Sequence, residues 1–69
     1  MTGRVTYLNR LKEHRQRRGL TQIELSKISE ISRATIADLE AGKRGAYQST
    51  LKKLTRALKV KRHELMKGQ

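Results

Sequence analysis

Sixty-nine residues without a cysteine allow one small domain, exclude disulfide and zinc-thiolate chemistry, and leave little room for a deep active-site cleft. Seventeen Lys and Arg against six Asp and Glu give a net charge of +11, which on so small a body points to a polyanionic partner. No apolar run approaches the roughly 18 residues of a membrane span, and MTGRVTYLNR lacks the apolar core of a signal peptide, so a soluble, cytoplasmic protein is expected.

Met1 to Thr6 reads as a loose arm, with Arg4 able to touch a nucleic-acid backbone. Tyr7 to Arg18 contains no Gly or Pro and stacks Leu8, Leu11 and Arg15 at i, i+3 and i+7, which predicts a first helix. Gly19 then supplies a left-handed cap.

From Leu20 to Gly42 the chain contains two helix starts of one design. At the first, Thr21 caps, Glu24 closes a capping box, and Leu20 staples onto Leu25. At the second, Ser32 caps and Ile31 staples onto Ile36. The second helix is expected over Gln22 to Ser29, with Leu25 and Ile28 facing inward and Ser26 small enough to admit a neighbouring helix. The third is expected over Arg33 to Ala41, ending at Gly42. The few residues between them leave space only for a tight turn, and two short helices so joined make a helix-turn-helix whose second helix can enter a DNA major groove.

On the third helix Ile36 and Leu39 face the core. Arg33, Ala34, Ala37, Asp38 and Ala41 fall within about 140° on another side, at about 100° per residue. Three alanines beside one arginine give a thin surface that approaches base edges closely, with alanine methyls suited to thymine methyls and Arg33 suited to guanine. The same strip also fits an ordinary solvated face built of good helix formers. Asp38 likewise has two readings: it accepts a hydrogen bond from cytosine, or it neutralises a nearby Lys or Arg of the protein.

Lys43 to Tyr47 is the next loop. Ser49 to Lys59 is expected as a fourth helix with Leu51, Leu54, Ala57 and Leu58 on one side, and Arg62 to Met66 as a short fifth. Lys67 to Gln69 should fray. The fold class is therefore all-α, five helices in one unit over residues 7–66. The charge divides along it: residues 1–18 carry six basic and one acidic side chain, 19–42 two and four, and 43–69 nine and one. Basic flanks that grip phosphates around a centre that meets base edges are the division of labour a groove reader needs.

Taken together, LTQIELS, ISRATIADLEAGKR and LKKLTRALKV resemble the lambda-repressor-like helix-turn-helix domain of the Xre and Cro repressor family, over roughly Leu8 to Met66. The resemblance implies a five-helix bundle that binds operator DNA, usually as a two-fold dimer, and so a sequence-specific transcriptional regulator, in most cases a repressor, that needs no cofactor. It implies that Arg33, Ala34 and Asp38 stand at base-reading positions, and the outer strip of the helix adds Ala37 to them. Gln22 would contact a phosphate or the reading helix. Ser32, with Thr35 beside it, would hold a phosphate at the start of that helix, and Lys43 and Arg44 would meet the backbone after it. Arg15 and Glu40 would form a structural, partly buried ion pair that locks the first helix to the third. The sequence departs from the family pattern at Glu30 and Lys59, where glycine is usual, at Lys61, which replaces a cap residue, and in lacking a Pro-Ser start to the fourth helix.

Other chemistries find less support. His14 and His63 stand alone and read as surface residues, which argues against a metal site. Asp38 and Glu40 lie on nearly opposite sides of their helix and no nucleophile turn is present, which argues against an enzyme. Leu51 to Met66 is basic and amphipathic enough to lie on a membrane, yet it lacks Trp and Phe and its leucines are needed to cover the other helices. Tyr7 and Tyr47 are too few for single-stranded RNA stacking. The rival of another class is an antitoxin that occupies a toxin partner and autoregulates its promoter; a disordered extension would favour it, and the chain has almost no tail. If two copies pair, the spare apolar residues Val60, Leu65 and Met66 are the expected contact, placing two reading helices about 34 Å apart.

Overall fold

Side-chain caps and left-handed residues divide the chain into helices. In the computed structural model, which describes residues 4–66, these are α1 (Leu11–Arg17), α2 (Gln22–Ser29), α3 (Arg33–Ala41) and α4 (Gln48–Leu58), followed by a 3-10 turn, Arg62–Leu65. Residues 1–3 of the expected arm and the expected frayed end, 67–69, lie outside the described residues.

α2 begins where Thr21, in extended geometry, accepts the Glu24 N–H while the Glu24 carboxylate accepts the Thr21 N–H at 2.8 Å, a complete capping box. It stops at Glu30, whose φ of 62° and ψ of 31° are left-handed. Ser32 caps α3 by accepting the Thr35 N–H at 3.2 Å, and α3 ends on left-handed Gly42. The residues expected to form the two apolar staples belong to the core: Leu25 and Ile36 are fully enclosed, Ile31 is buried, and Leu20 is partly buried against the cluster.

The core is a cluster of leucines and isoleucines drawn from every element, with Leu11, Leu25, Ile36, Leu39, Leu51, Leu54 and Leu58 among its members. Each such side chain taken out of water contributes about 1.5–3 kcal/mol, so a domain this small depends on all of them. α4 supplies three at helical spacing and lies across α2.

Several expectations are corrected. The fifth helix is not an α-helix: its four residues close i to i+3 bonds, Glu64 N–H to Lys61 O and Met66 N–H to His63 O, and Lys61 offers no side-chain cap to start a longer turn. Leu65 is fully buried and its carbonyl accepts the Arg10 N–H at 3.0 Å, so it ties the chain end to the start of α1 and is not spare surface for a dimer. The first helix starts at Leu11 rather than Tyr7; Leu8 is buried ahead of it and its carbonyl accepts the Leu11 N–H. The fourth runs one residue early at each end, closed by left-handed Lys59.

Ile28 is 54% exposed, whereas Ser29 is buried, its hydroxyl satisfied by donating to the Leu25 carbonyl. His14 is 8% exposed, not a surface residue, and its Nε2 has no hydrogen-bond partner among the described residues. Finally, Thr6 is not part of a loose arm. Its N–H donates to the Ala46 carbonyl at 2.9 Å and its carbonyl accepts the Ala46 N–H at 2.7 Å, an isolated antiparallel bridge.

Candidate nucleic-acid interface

α3 is held from behind by a hydrogen-bonded chain that starts on α1. Arg15 Nε donates to Glu40 Oε2 at 2.6 Å and Arg15 Nη2 to Glu40 Oε1 at 3.2 Å, while Nη1 donates to the Leu20 carbonyl at 2.6 Å. A charge pair this buried is tolerable only when its remaining donors and acceptors are also met. Gln22 contributes to that: its Nε2 donates to Glu40 Oε1 at 3.0 Å. The other end of the same amide, Oε1, accepts from Arg33 Nη1 at 3.3 Å. One uninterrupted path therefore links Arg15, Glu40, Gln22 and Arg33, across three helices. Of the two contacts expected for Gln22, the one to α3 is present.

The other side of α3 faces solvent. Arg33, Ala34 and Ala41 are exposed, Ala37 and Asp38 are half-buried, and Ile36 and Leu39 turn inward. Apart from Arg33 the strip is short in side chain, the form that lets a helix sit deep in a groove about 12 Å wide. Arg33 spends one of its five N–H donors on Gln22, through the terminal Nη1, which leaves its Nε and Nη2 donors without a protein partner among the described residues.

The ends of the strip are cationic or hydroxylic. At the start, Ser32 donates its hydroxyl proton to Thr35 Oγ1 at 2.8 Å, and Ser32 is exposed with Thr35 half-buried. Beyond Gly42, Lys43 and Arg44 are exposed. Arg44 Nε lies 3.9 Å from Asp38 Oδ2, so the carboxylate has a cationic neighbour inside the protein, the second of the two readings given for it. At that distance, with Arg44 exposed and the Asp38 side chain partly so, the pair holds neither side chain firmly.

At the start of α1 there is a surface cluster in which Arg10, just ahead of the helix, and Arg17 within it both donate to Glu13. The hydrogen bond from Arg10 holds the Glu13 carboxyl below its ordinary value, opposed by desolvation. Among the described residues no group of three or more His, Cys, Asp or Glu could hold a metal ion, and no helix is long and apolar enough to cross a membrane.

One feature beside α3 has no counterpart in the sequence pattern. A shallow groove runs between the segment around Thr6 and the loop after α3, lined by Tyr7, Thr35, Lys43, Arg44, Tyr47 and Thr50 among others. Tyr7 stands ahead of α1 rather than in the expected first helix, and Tyr47 at the end of the loop before α4. A pairing of two single residues forty apart leaves no periodic trace by which sequence reading could find it.

Comparisons with known proteins agree on the type of domain. A family model described as helix-turn-helix matches residues 11–65. The chain is 47% identical over 57 residues to the "Uncharacterized HTH-type transcriptional regulator RghRB" of Bacillus subtilis (strain 168), a match that takes in 81% of this chain and 41% of that protein. The chain thus spans less than half the length of that relative. Among solved structures it resembles the restriction-modification controller protein C.AhdI from Aeromonas hydrophila, with a TM-score of 0.80 and 32% identity, covering 90% of this chain and 94% of that one.

Proposed function

The chain belongs to the helix-turn-helix family, and from that premise we propose that it is a sequence-specific double-stranded DNA-binding transcriptional regulator that acts by occupying an operator. The observation that carries the proposal is the solvent-facing strip of α3, thin and alanine-rich, with Arg33 braced at one end through Gln22 and Lys43 and Arg44 at the other. In this reading Arg33, Ala34, Ala37 and Asp38 meet base edges in the major groove, while Ser32, Thr35, Lys43 and Arg44 grip phosphates and set the register. Gln22 acts at one remove, by orienting Arg33. Repression by occlusion needs no cofactor and no catalytic group.

Pairing of two copies on an approximately palindromic site belongs to the same proposal. With Leu65 enclosed, Val60 and Met66, which are partly buried at that end of the chain, are what remains of the expected contact. A cytoplasmic or nucleoid location follows from the function proposed. The antitoxin reading has no specific feature in its favour.

The test is selection of bound sequences from a random duplex pool. A recovered consensus of defined length supports the proposal, and a symmetric one with half-sites about one helical turn apart supports pairing as well. Recovery of sequences no different from the input contradicts a reading function for α3.

A further inference from the structure

The groove beside α3 is a built feature. It exists because the segment ahead of α1 is strapped to the loop after α3 by the two hydrogen bonds between Thr6 and Ala46. The strap can lie this close only because residue 45 is glycine. A Cβ there would stand 2.9 Å from both Cβ and Cγ2 of Val5 and 3.1 Å from the Thr6 carbonyl oxygen, closer than a β-branched side chain and a backbone oxygen can readily yield. The strap brings Tyr7 to a groove shared with Tyr47, and both are about half exposed, at 52% and 53%.

Beside apolar contributions from Val5, Leu39 and Ala46, the lining is one-sided in charge. It offers the two phenol groups, the hydroxyls of Thr35 and Thr50, and the cations Lys43 and Arg44, with no carboxylate among them; Asp38, outside the lining, lies against Arg44. Three of these residues, Thr35, Lys43 and Arg44, also belong to the edge proposed to follow the DNA backbone, so the groove continues that edge rather than forming a separate site.

Resting on the DNA-binding reading, we propose that this groove seats a phosphodiester of the duplex, with the Tyr7 and Tyr47 hydroxyls as neutral donors and the Thr6–Ala46 strap as the device that positions them. A neutral hydroxyl donating to a phosphate oxygen makes a charge-assisted hydrogen bond. It displaces no counterion of its own, so it adds affinity without adding to the salt dependence. It is also blind to sequence.

The experiment compares the full chain with its Tyr7→Phe, Tyr47→Phe and Gly45→Ala variants, on a duplex selected from a random pool and on a scrambled duplex of the same length, across a salt series. Expected for each phenylalanine variant is a loss of about tenfold on both duplexes, with the slope of log affinity against log salt unchanged. Gly45→Ala, which lifts the strap and leaves every donor in place, should weaken both duplexes likewise while the helical melting transition persists. If Gly45→Ala fails to fold, the tyrosine variants, which remove one oxygen from half-exposed side chains, decide alone. Wild-type affinity in Tyr7→Phe, or a loss confined to the selected duplex, overturns the phosphate seat and leaves the DNA-binding reading standing. A wild-type chain that binds neither duplex overturns that reading and the seat with it.

Discussion

Arg15 on α1 and Glu40 near the end of α3, separated by 25 positions in sequence, are joined by two hydrogen bonds of 2.6 and 3.2 Å, with side chains only 9% and 4% exposed. Because Gln22 shares the same carboxylate and also holds Arg33, the pair that fixes α3 in the fold is continuous with a residue proposed to read bases. Stability and orientation are therefore coupled at this point, and its substitutions should be read in that order.

Glu40→Ala strands Arg15 in a buried site and removes an acceptor from Gln22. Breaking a buried pair from one side costs about 3–5 kcal/mol, a large part of the stability available to a domain of this size. Urea denaturation should show the midpoint fall sharply, before any question of DNA affinity arises. An unfolding free energy within about 0.5 kcal/mol of wild type would mean that the pair is not formed in solution.

Glu30 and Lys59 both close helices with positive φ, at 62° and 56°. A left-handed residue with a side chain costs about 1–2 kcal/mol, offset in part by the roughly 0.5–1 kcal/mol that glycine loses through its freer unfolded chain. Glu30→Gly should accordingly raise the melting temperature by a few degrees, and Lys59→Gly should do the same. An unchanged or lower value at Glu30 would show that the turn between α2 and α3 is built without the left-handed residue.

Burial of His14 with an unpartnered Nε2 is the opposite case, a polar atom that the core accommodates at a cost. An unmet buried polar group costs about 1–3 kcal/mol, so His14→Leu should stabilise the fold by about 1 kcal/mol after repacking. Calorimetric melting checks this, and a clear loss of stability would indicate that the imidazole makes a contact the leucine cannot replace.

The parts of the fold that were legible in the sequence are those written in local chemistry. Thr21 with Glu24, Ser32, and Gly42 mark helix ends by side-chain oxygen or by absence of a Cβ, and they place α2 and α3 to the residue. What misled was hydrophobicity taken as a guide to facing. Ile28 looks inward by type, but Leu25 and Ser29 are the pair one turn apart that α2 buries. His14 and Leu65 show the converse, the first polar yet enclosed, the second an apolar chain-end residue that the start of α1 uses. In the candidate interface, α3 and its cationic end could be drawn from spacing and charge. The bridge from Thr6 to Ala46 could not, since it depends on a tertiary approach that Gly45 permits but does not announce.

The division between reading and gripping is tested most directly by titrating Arg33→Ala and Lys43→Ala against a selected duplex and a scrambled one over a salt series. Expected for Arg33→Ala is a loss of about 1–3 kcal/mol on the selected duplex with little on the scrambled one, and relaxed preference at one base pair. Expected for Lys43→Ala is equal weakening on both and a salt slope reduced by about one unit. Equal effects of the two substitutions on both duplexes would contradict the assignment of α3 as the reading helix.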